Sequence, residues 1–350
     1  MMKILLIGGG TGGHCLPMNV FYHDLLKKSQ CYILTDKRGE RYFENINKNK
    51  VYVLKKLLNN NSKLANIINI PILLIQSFYF QVSIRPDCCV GFGGFITLPS
   101  MISAWSLNIK TYAHEANALV GKTNFILINF VRKLFVAFDT TTYRGKKVNN
   151  AIKVGLPIRI EKKNKSNENY SKIFQICILG GSQGAKNLSI KISKAIKQLK
   201  ETHGLNLKVF HQCRAEDGKI VKNIYKSAKI AGFTSNYFSD IPSILSTSNL
   251  IISRAGSSTL NEIIYYNKPS ILIPYPHAVD DHQYFNAKVL EKNNGARIIL
   301  DKELTQAKIY LEIQRIISLF KDRKYKISSN RQNLNASFQI YNFIEKDLCR

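Results

Sequence analysis

Acidic residues are scarce in this chain: 23 Asp and Glu stand against 51 Lys and Arg, a formal net charge of +28 over 350 residues. Such an excess raises nucleic acid as a partner. The motifs that would accompany that reading are missing: there is no zinc-finger spacing, no aromatic RNA-binding signature and no basic zipper, and the lysines are dispersed among asparagines and isoleucines, as in "NINKNK". Nucleic acid is therefore not expected, and an anionic membrane surface is the better partner for the charge. Cysteine pairs at metal or redox spacing are lacking too. The seven thiols (Cys15, Cys31, Cys88, Cys89, Cys177, Cys213 and Cys349) are odd in number and scattered, which reads as buried free thiols in a reducing compartment. No charged leader with an apolar core and cleavage site fits ahead of the first apolar run, so no secretory signal is expected. Uninterrupted apolar runs of membrane-spanning length are absent as well. Ile67–Ile84 comes nearest, but Asn69, Pro71, Gln76, Gln81 and Ser83 interrupt it and Arg85-Pro86-Asp87 closes it. A spanning helix is not expected there; a core-facing helix and a surface helix touching lipid through Ile72, Leu73, Ile75, Phe78, Tyr79 and Phe80 both stand open.

With 45% hydrophobic residues in 350, a large core can be buried, and the length favours two domains. Short apolar runs alternate with amphipathic stretches from Met1 onward. Strands are expected at Lys3–Ile7, Cys31–Thr35, Val51–Leu54, Cys88–Phe92, Thr111–Ala113 and Leu134–Phe138, with helices at Leu16–Lys28 and Leu98–Leu107. The polar run Glu161–Ser171 reads as a linker, dividing the chain into domains 1–160 and 161–350. The rhythm then restarts, with strands at Ile173–Leu179, Leu207–His211, Leu250–Ser253 and Ser270–Pro274 and helices near Asn187–Lys200, Ser257–Tyr266 and Gln283–Asn293. The tail Lys302–Lys346 is helical in pattern and is expected to pack outside, its last helix returning toward the first domain.

Each half opens on the same device. Ile4–Ile7 runs into Gly8-Gly9-Gly10-Thr11-Gly12-Gly13-His14, and Ile176–Leu179 runs into Gly180-Gly181-Ser182-Gln183-Gly184-Ala185. A strand, a glycine turn and a helix start aim free backbone N–H groups at a bound anion. Gly8, Gly10 and Gly13 also satisfy the dinucleotide pattern, with Asp36 where a ribose carboxylate would sit, so an NAD oxidoreductase is a rival. His14 stands at a helix entrance. An imidazole, with an ordinary pKa of about 6.5, can take a proton from a substrate hydroxyl there. A third cluster, Ser253-Arg254-Ala255-Gly256-Ser257-Ser258-Thr259-Leu260-Asn261-Glu262, supplies hydroxyls for phosphate and a carboxylate for a sugar diol, or alternatively an ordinary capping box. In a fourth, Pro274–Ala287, the set His277, Asp280, Asp281 and His282 fits no zinc spacing; Asp280 and Asp281 suit a helix cap and Gln283 a sugar hydroxyl.

Taken in order, "GGGTGGH", "GFGGF", "HEANALVGKTN", "VGLPIR", "GGSQGA", "SRAGSSTLNE" and "DHQYFNA" closely resemble the MurG family, the N-acetylglucosaminyltransferases of peptidoglycan precursor synthesis. The resemblance spans nearly the whole chain. It implies an α/β architecture of two Rossmann-like domains facing a cleft, the glycosyltransferase-B fold. It also implies inverting transfer of N-acetylglucosamine from UDP-N-acetylglucosamine to the 4-hydroxyl of the muramoyl group of undecaprenyl-linked lipid I, on the cytoplasmic face of the membrane as a peripheral protein. Carried over by motif, Thr11, Gly12 and Gly13 border phosphates, Asn117 and Arg159 face the donor, and Ser182 lies against its diphosphate. Ser257, Ser258, Thr259, Leu260 and Asn261 form the diphosphate turn, Glu262 meets the ribose, Gln283 the sugar, and Phe238 reads uracil through its backbone. His14 is the candidate base. No metal or cofactor is implied, in keeping with the lack of an Asp-x-Asp motif beside the second glycine turn.

Overall fold

A computed structural model of the chain describes residues 1–58, 63–143, 145–160, 173–180, 186–292, 295–321 and 335–349. The expected linker Glu161–Ser171 lies outside them. The chain divides into two compact units, Met1–Ile158 with Gln332–Arg350, and Arg159–Arg331.

The first unit runs β1 (Lys3–Gly8), α1 (Gly12–Leu25), β2 (Gln30–Asp36), β3 (Val51–Leu54), α2 (Lys63–Ile84), β4 (Cys88–Gly93), α3 (Thr97–Ser106), β5 (Lys110–Glu115), α4 (Lys122–Leu127), β6 (Lys133–Val136), a small hairpin β7 (Thr142–Tyr143) and β8 (Lys146–Lys147), and β9 (Ala151–Lys153). Its seven-stranded sheet has the order β3-β2-β1-β4-β5-β6-β9, with every described pair parallel. The strands read as unbroken apolar runs because both faces are covered. In β1, Ile4 and Leu6 join one buried cluster with Met18 and Phe21 of α1, while Leu5 and Ile7 join another with Leu73 of α2 and Met101 of α3. Strand order reverses between β1 and β4, and ligands in such sheets sit beyond the strand ends at that point.

The second unit contains β10 (Phe174–Leu179), α5 (Lys186–His203), β11 (Leu207–Gln212), α6 (Ala215–Ser227), β12 (Ala231–Ser235), α7 (Ile241–Thr247), β13 (Leu250–Ser253), α8 (Ser257–Tyr266), β14 (Ser270–Leu272), α9 (His282–Lys292), β15 (Ala296–Ile298) and α10 (Gln306–Lys321). The order is β12-β11-β10-β13-β14-β15, again parallel, with the reversal between β10 and β13. Helix α6 and strands β12 and β15 come in addition to the expected elements; β12 is an edge strand with no fully buried residue. The last helix, α11 (Ala336–Leu348), belongs to the first unit. There the Asp347 carboxylate accepts from Arg132 Nε at 2.6 Å and from the Tyr112 hydroxyl, and Ser337 donates to Asp24.

Helix α2 is built inside out. Its inward polar groups are hydrogen-bonded into the unit. Asn69 Oδ1 accepts the Leu57 and Leu58 N–H groups at 2.8 and 3.1 Å, Gln76 exchanges two bonds with the Lys55 backbone, Ser77 Oγ is 2.7 Å from Ser100 Oγ, and Gln81 Oε1 accepts from Ser103 Oγ. Its outer face carries Ile67, Ile68, Ile75, Phe78, Tyr79 and Val82, with Ile75 67% and Tyr79 70% exposed. A core-facing helix has the opposite arrangement. Two of the residues expected to touch lipid do not belong to that face: Leu73 is fully buried in the core, and Phe80 packs on Tyr52 with ring centres 5.0 Å apart.

Candidate active site

In the first unit the site elements gather at the carboxyl ends of β1, β4 and β5. Thr11 is the N-cap of α1 and makes no side-chain cap bond. Thr11 and Gly13 are exposed and Gly12 half-buried. Asp36, at the end of β2, is buried; its Oδ1 accepts the Gly10 N–H at 3.0 Å and the Gly39 N–H at 2.8 Å. A Cβ placed on Gly9 would stand 2.9 Å from the Asp36 carboxyl carbon. The buried carboxylate thus supports the glycine turn, and the feature that favoured an NAD enzyme serves to shape the loop.

His14 lies in the first turn of α1, half-buried, with Nδ1 3.2 Å from Gly9 O. A carbonyl only accepts, so the neutral ring carries its proton on Nδ1 and Nε2 is the basic nitrogen. At the end of β5, His114 stacks on Phe92 and donates from Nε2 to Gly155 O at 2.8 Å; its buried Nδ1 has no partner among the described residues. Burial pushes the His114 imidazole below its ordinary value, against the pull of its carbonyl bond and of Glu115. The buried Glu115 carboxylate organises the segment that follows: Oε1 accepts the Asn117 N–H at 3.0 Å and its amide at 3.1 Å, and Oε2 accepts the Gly121 N–H and the Asn124 amide, both at 2.9 Å. Asn117, half-buried, is therefore held by one face of its amide.

In the second unit Ser182 lies outside the described residues. The turn after β13 is clamped by two side chains. Arg254 Nη1 donates to Ile273 O and Pro274 O, each at 3.1 Å, and pairs with Asp301 at 2.7 Å; Asn286 of α9 donates to Ala255 O at 3.2 Å. The turn hands the chain to α8, whose N-cap is Gly256 without a side-chain cap bond. Ser257 is buried, and the buried hydroxyls of Ser253 and Ser258 find no partner among the described residues. Leu260 is in the core, and the Asn261 amide donates to Ser257 O at 2.9 Å, so these two build the helix. Thr259 remains half-buried. Glu262 lies beyond the first turn of α8, too far along to close a capping box. Burial pushes its carboxyl up to about 7, against the pull of the Arg159 guanidinium. Gln283 Oε1 accepts the Tyr275 N–H at 3.0 Å, which turns its amide nitrogen outward as a donor. Phe238, half-buried between β12 and α7, meets Phe210 edge-on at 6.0 Å. Asp280 and Asp281 both take left-handed backbone, φ 51°, in the turn before α9. Among the described residues no group of three or more His, Cys, Asp or Glu could hold a metal ion.

The sequence reading missed Glu115, Arg254 and Asn286, which hold loops rather than face a ligand. A charged side chain directly at a strand end, as in "HE" and "SR", was the available signal for Glu115 and Arg254; Asn286, inside α9, gave none.

Comparison with known proteins agrees across both units. Residues 4–136 match the N-terminal domain of glycosyltransferase family 28 and residues 175–344 its C-terminal domain. The chain is 32% identical over 319 residues to the UDP-N-acetylglucosamine–N-acetylmuramyl-(pentapeptide) pyrophosphoryl-undecaprenol N-acetylglucosamine transferase of Rhodospirillum rubrum, covering 87% of this chain and 81% of the relative. It is 31% identical over 330 residues to the protein of the same name from Rickettsia bellii, covering 91% of each. Among solved structures, MurG of Acinetobacter baumannii superposes with a TM-score of 0.77 at 24% identity, covering 99% of this chain and all of that one. A UDP-GlcNAc 2-epimerase of Neisseria meningitidis bound to UDP-GlcNAc shares the fold, with a TM-score of 0.68 at 12% identity and 99% and 100% coverage.

Proposed function

The chain belongs to glycosyltransferase family 28, and we propose that it transfers N-acetylglucosamine from UDP-N-acetylglucosamine to the 4-hydroxyl of the N-acetylmuramoyl group of undecaprenyl-linked lipid I, giving lipid II and UDP. The relatives of that name supply the reaction, and the observation that carries it to these residues is the second unit's turn. Two buried hydroxyls without partners among the described residues, a helix N-terminus without a side-chain cap bond and a carboxyl held near neutrality form a set that a nucleoside diphosphate completes.

In this reading Ser257, Ser258, Thr259 and the α8 N–H groups receive the diphosphate, Arg159 and Asn117 face the donor, Glu262 accepts from the ribose, Gln283 donates to the sugar and the Phe238 backbone meets uracil. Thr11, Gly12 and Gly13 present N–H groups to phosphate in the first unit. His14 Nε2 takes the proton of the acceptor 4-hydroxyl as its oxygen bonds the anomeric carbon from the face opposite UDP. The bond from that carbon to the β-phosphate oxygen breaks, and its electron pair leaves with UDP, inverting the centre. Helix N-termini and Arg159 stabilise the departing charge.

A substrate carrying a polyprenyl tail brings the enzyme to a membrane. Helix α2 supports peripheral attachment: hydrogen bonds along its inner side make it part of the first unit, and its apolar face points outward. Each apolar side chain withdrawn from water contributes about 1.5–3 kcal/mol and each basic residue near an anionic surface about 1 kcal/mol. Transfer of labelled sugar from UDP-N-acetylglucosamine, but not from UDP-glucose, to a lipid I analogue tests the reaction; no transfer from either donor refutes it. Vesicle co-sedimentation tests attachment. The protein should bind anionic vesicles, leave them in part at high salt, and lose binding when Ile75, Phe78 and Tyr79 become serine, with UDP affinity kept. Unchanged binding by that folded variant removes α2 from the membrane contact.

A further inference from the structure

Two glycine segments of the first unit are locked together at His14. The Gly9 N–H donates to Gly93 O at 3.2 Å, and the same carbonyl accepts the hydroxyl of buried Thr97 at 2.7 Å. Gly93 and Gly94 both have left-handed backbone, with φ of 102° and 95°, which side chains other than glycine's rarely adopt. The close approach explains the composition as much as the backbone does. A Cβ on Gly94 would stand 2.5 Å from Gly9 O, and a Cβ on Gly93 would stand 2.8 Å from His14 Cδ2 and 3.1 Å from His14 Nε2. The two segments therefore act on one imidazole. Gly9 O selects the tautomer through Nδ1, and Gly93 lies against the edge that carries the basic nitrogen.

We infer that Gly93, tethered by Thr97, is a positioning residue for the transfer, setting where His14 Nε2 stands by leaving the space beside it unfilled. Neither residue is expected to touch substrate. The inference rests on His14 acting as the base, and His14→Ala alone tests that reading. Displacement of a proton-accepting atom by a fraction of an ångström to an ångström costs about tenfold to a hundredfold in rate.

The decisive measurement is a double-mutant cycle in the full-length enzyme, reading kcat by sugar transfer and UDP affinity by calorimetry. Gly93→Ala should lower kcat about tenfold or more with UDP affinity changed less than about twofold. In a His14→Ala background the same substitution should cost nothing further, since no ring remains to be displaced. Multiplicative losses overturn the inference while leaving the base reading standing; a His14→Ala enzyme at the parent rate overturns the base reading and the inference with it. Should Gly93→Ala fail to fold, Thr97→Val decides, because it keeps the buried shape and removes only the tether. Its kcat should fall, return with Thr97→Ser, and be insensitive to the tether once His14 is alanine. A Thr97→Val enzyme with parent kcat overturns the inference.

Discussion

The turn that closes β1 and the turn that closes β13 solve one problem, presenting backbone N–H groups to an anion, in opposite electrostatic conditions. Around the first, the backbone groups of the turn are engaged: Asp36 holds Gly10 and Gly39, Gly93 holds Gly9, and Gly9 O faces His14 Nδ1. Around the second, Ser253 and Ser258 have buried hydroxyls without partners among the described residues, and burial lifts the Glu262 carboxyl to about 7. A buried unpaired hydroxyl costs about 1–3 kcal/mol. The first turn is thus set before any ligand arrives, whereas the second is left short of partners that a ligand brings. Pre-set geometry suits a proton acceptor, whose placement governs rate, and unsatisfied groups suit a binding site, whose relief governs affinity.

The comparison breaks most visibly at His14. His14→Ala should lower turnover roughly 100-fold or more with little change in UDP affinity, and His14→Asn, which hydrogen-bonds without basicity, should do nearly the same. Parent rates for both variants would mean that the pre-set turn does not house the base. Asp36→Ala comes next. It strands the Gly10 and Gly39 N–H groups and should lower unfolding stability by about 2 kcal/mol in denaturant titration; no loss would mean the loop holds its shape unaided.

The second turn should respond in affinity. Glu262→Ala should weaken UDP binding by about 1.5–2 kcal/mol, or tenfold to thirtyfold, and Glu262→Gln by less. The pH dependence follows from the raised carboxyl. An ionised carboxylate accepts from a diol more strongly than a protonated carboxyl does, so calorimetric UDP affinity should rise with pH through about 7 and flatten above it. For the unliganded fold the sign reverses. Since the folded value lies above the unfolded one, the Glu262 contribution to stability is fully present below about 4.5 and is lost as pH rises through about 7; Glu262→Gln should remove both slopes. A flat affinity profile in the parent protein would place the ribose elsewhere. The smallest effect is expected at Ser258. Ser258→Ala should weaken UDP by about 1 kcal/mol while leaving the unliganded protein as stable or slightly more so, because an unpaired group is removed. A destabilised Ser258→Ala protein would show that the hydroxyl already has a structural partner.

Much of the fold was legible in residue order. Unbroken runs such as Ile4–Ile7 and Leu250–Ile252 mark strands covered on both faces, and the glycine segments after them mark the turns, because periodicity and backbone permissiveness are local properties. The hydroxyl-rich start of α8 and the histidine of α1 were legible for the same reason. Asp36 kept an NAD enzyme open as a rival since a carboxylate at a strand end looks alike whether it meets a ligand or a backbone N–H.

What only the tertiary structure decided depends on surroundings that no window of sequence contains. The run Ile67–Ile84 fits a core helix and a surface helix equally by composition. It became a surface helix because Asn69, Gln76, Ser77 and Gln81 found partners in the Lys55–Leu58 segment and in α3, turning Ile67, Ile68, Ile75, Phe78 and Tyr79 outward. Helix α11 joined the first unit through Arg132 and Tyr112, more than 200 positions earlier in the chain. The Glu262 carboxyl is ordinary as a residue type; its shift toward neutrality comes from burial beyond the first turn of α8, which the Arg159 guanidinium opposes.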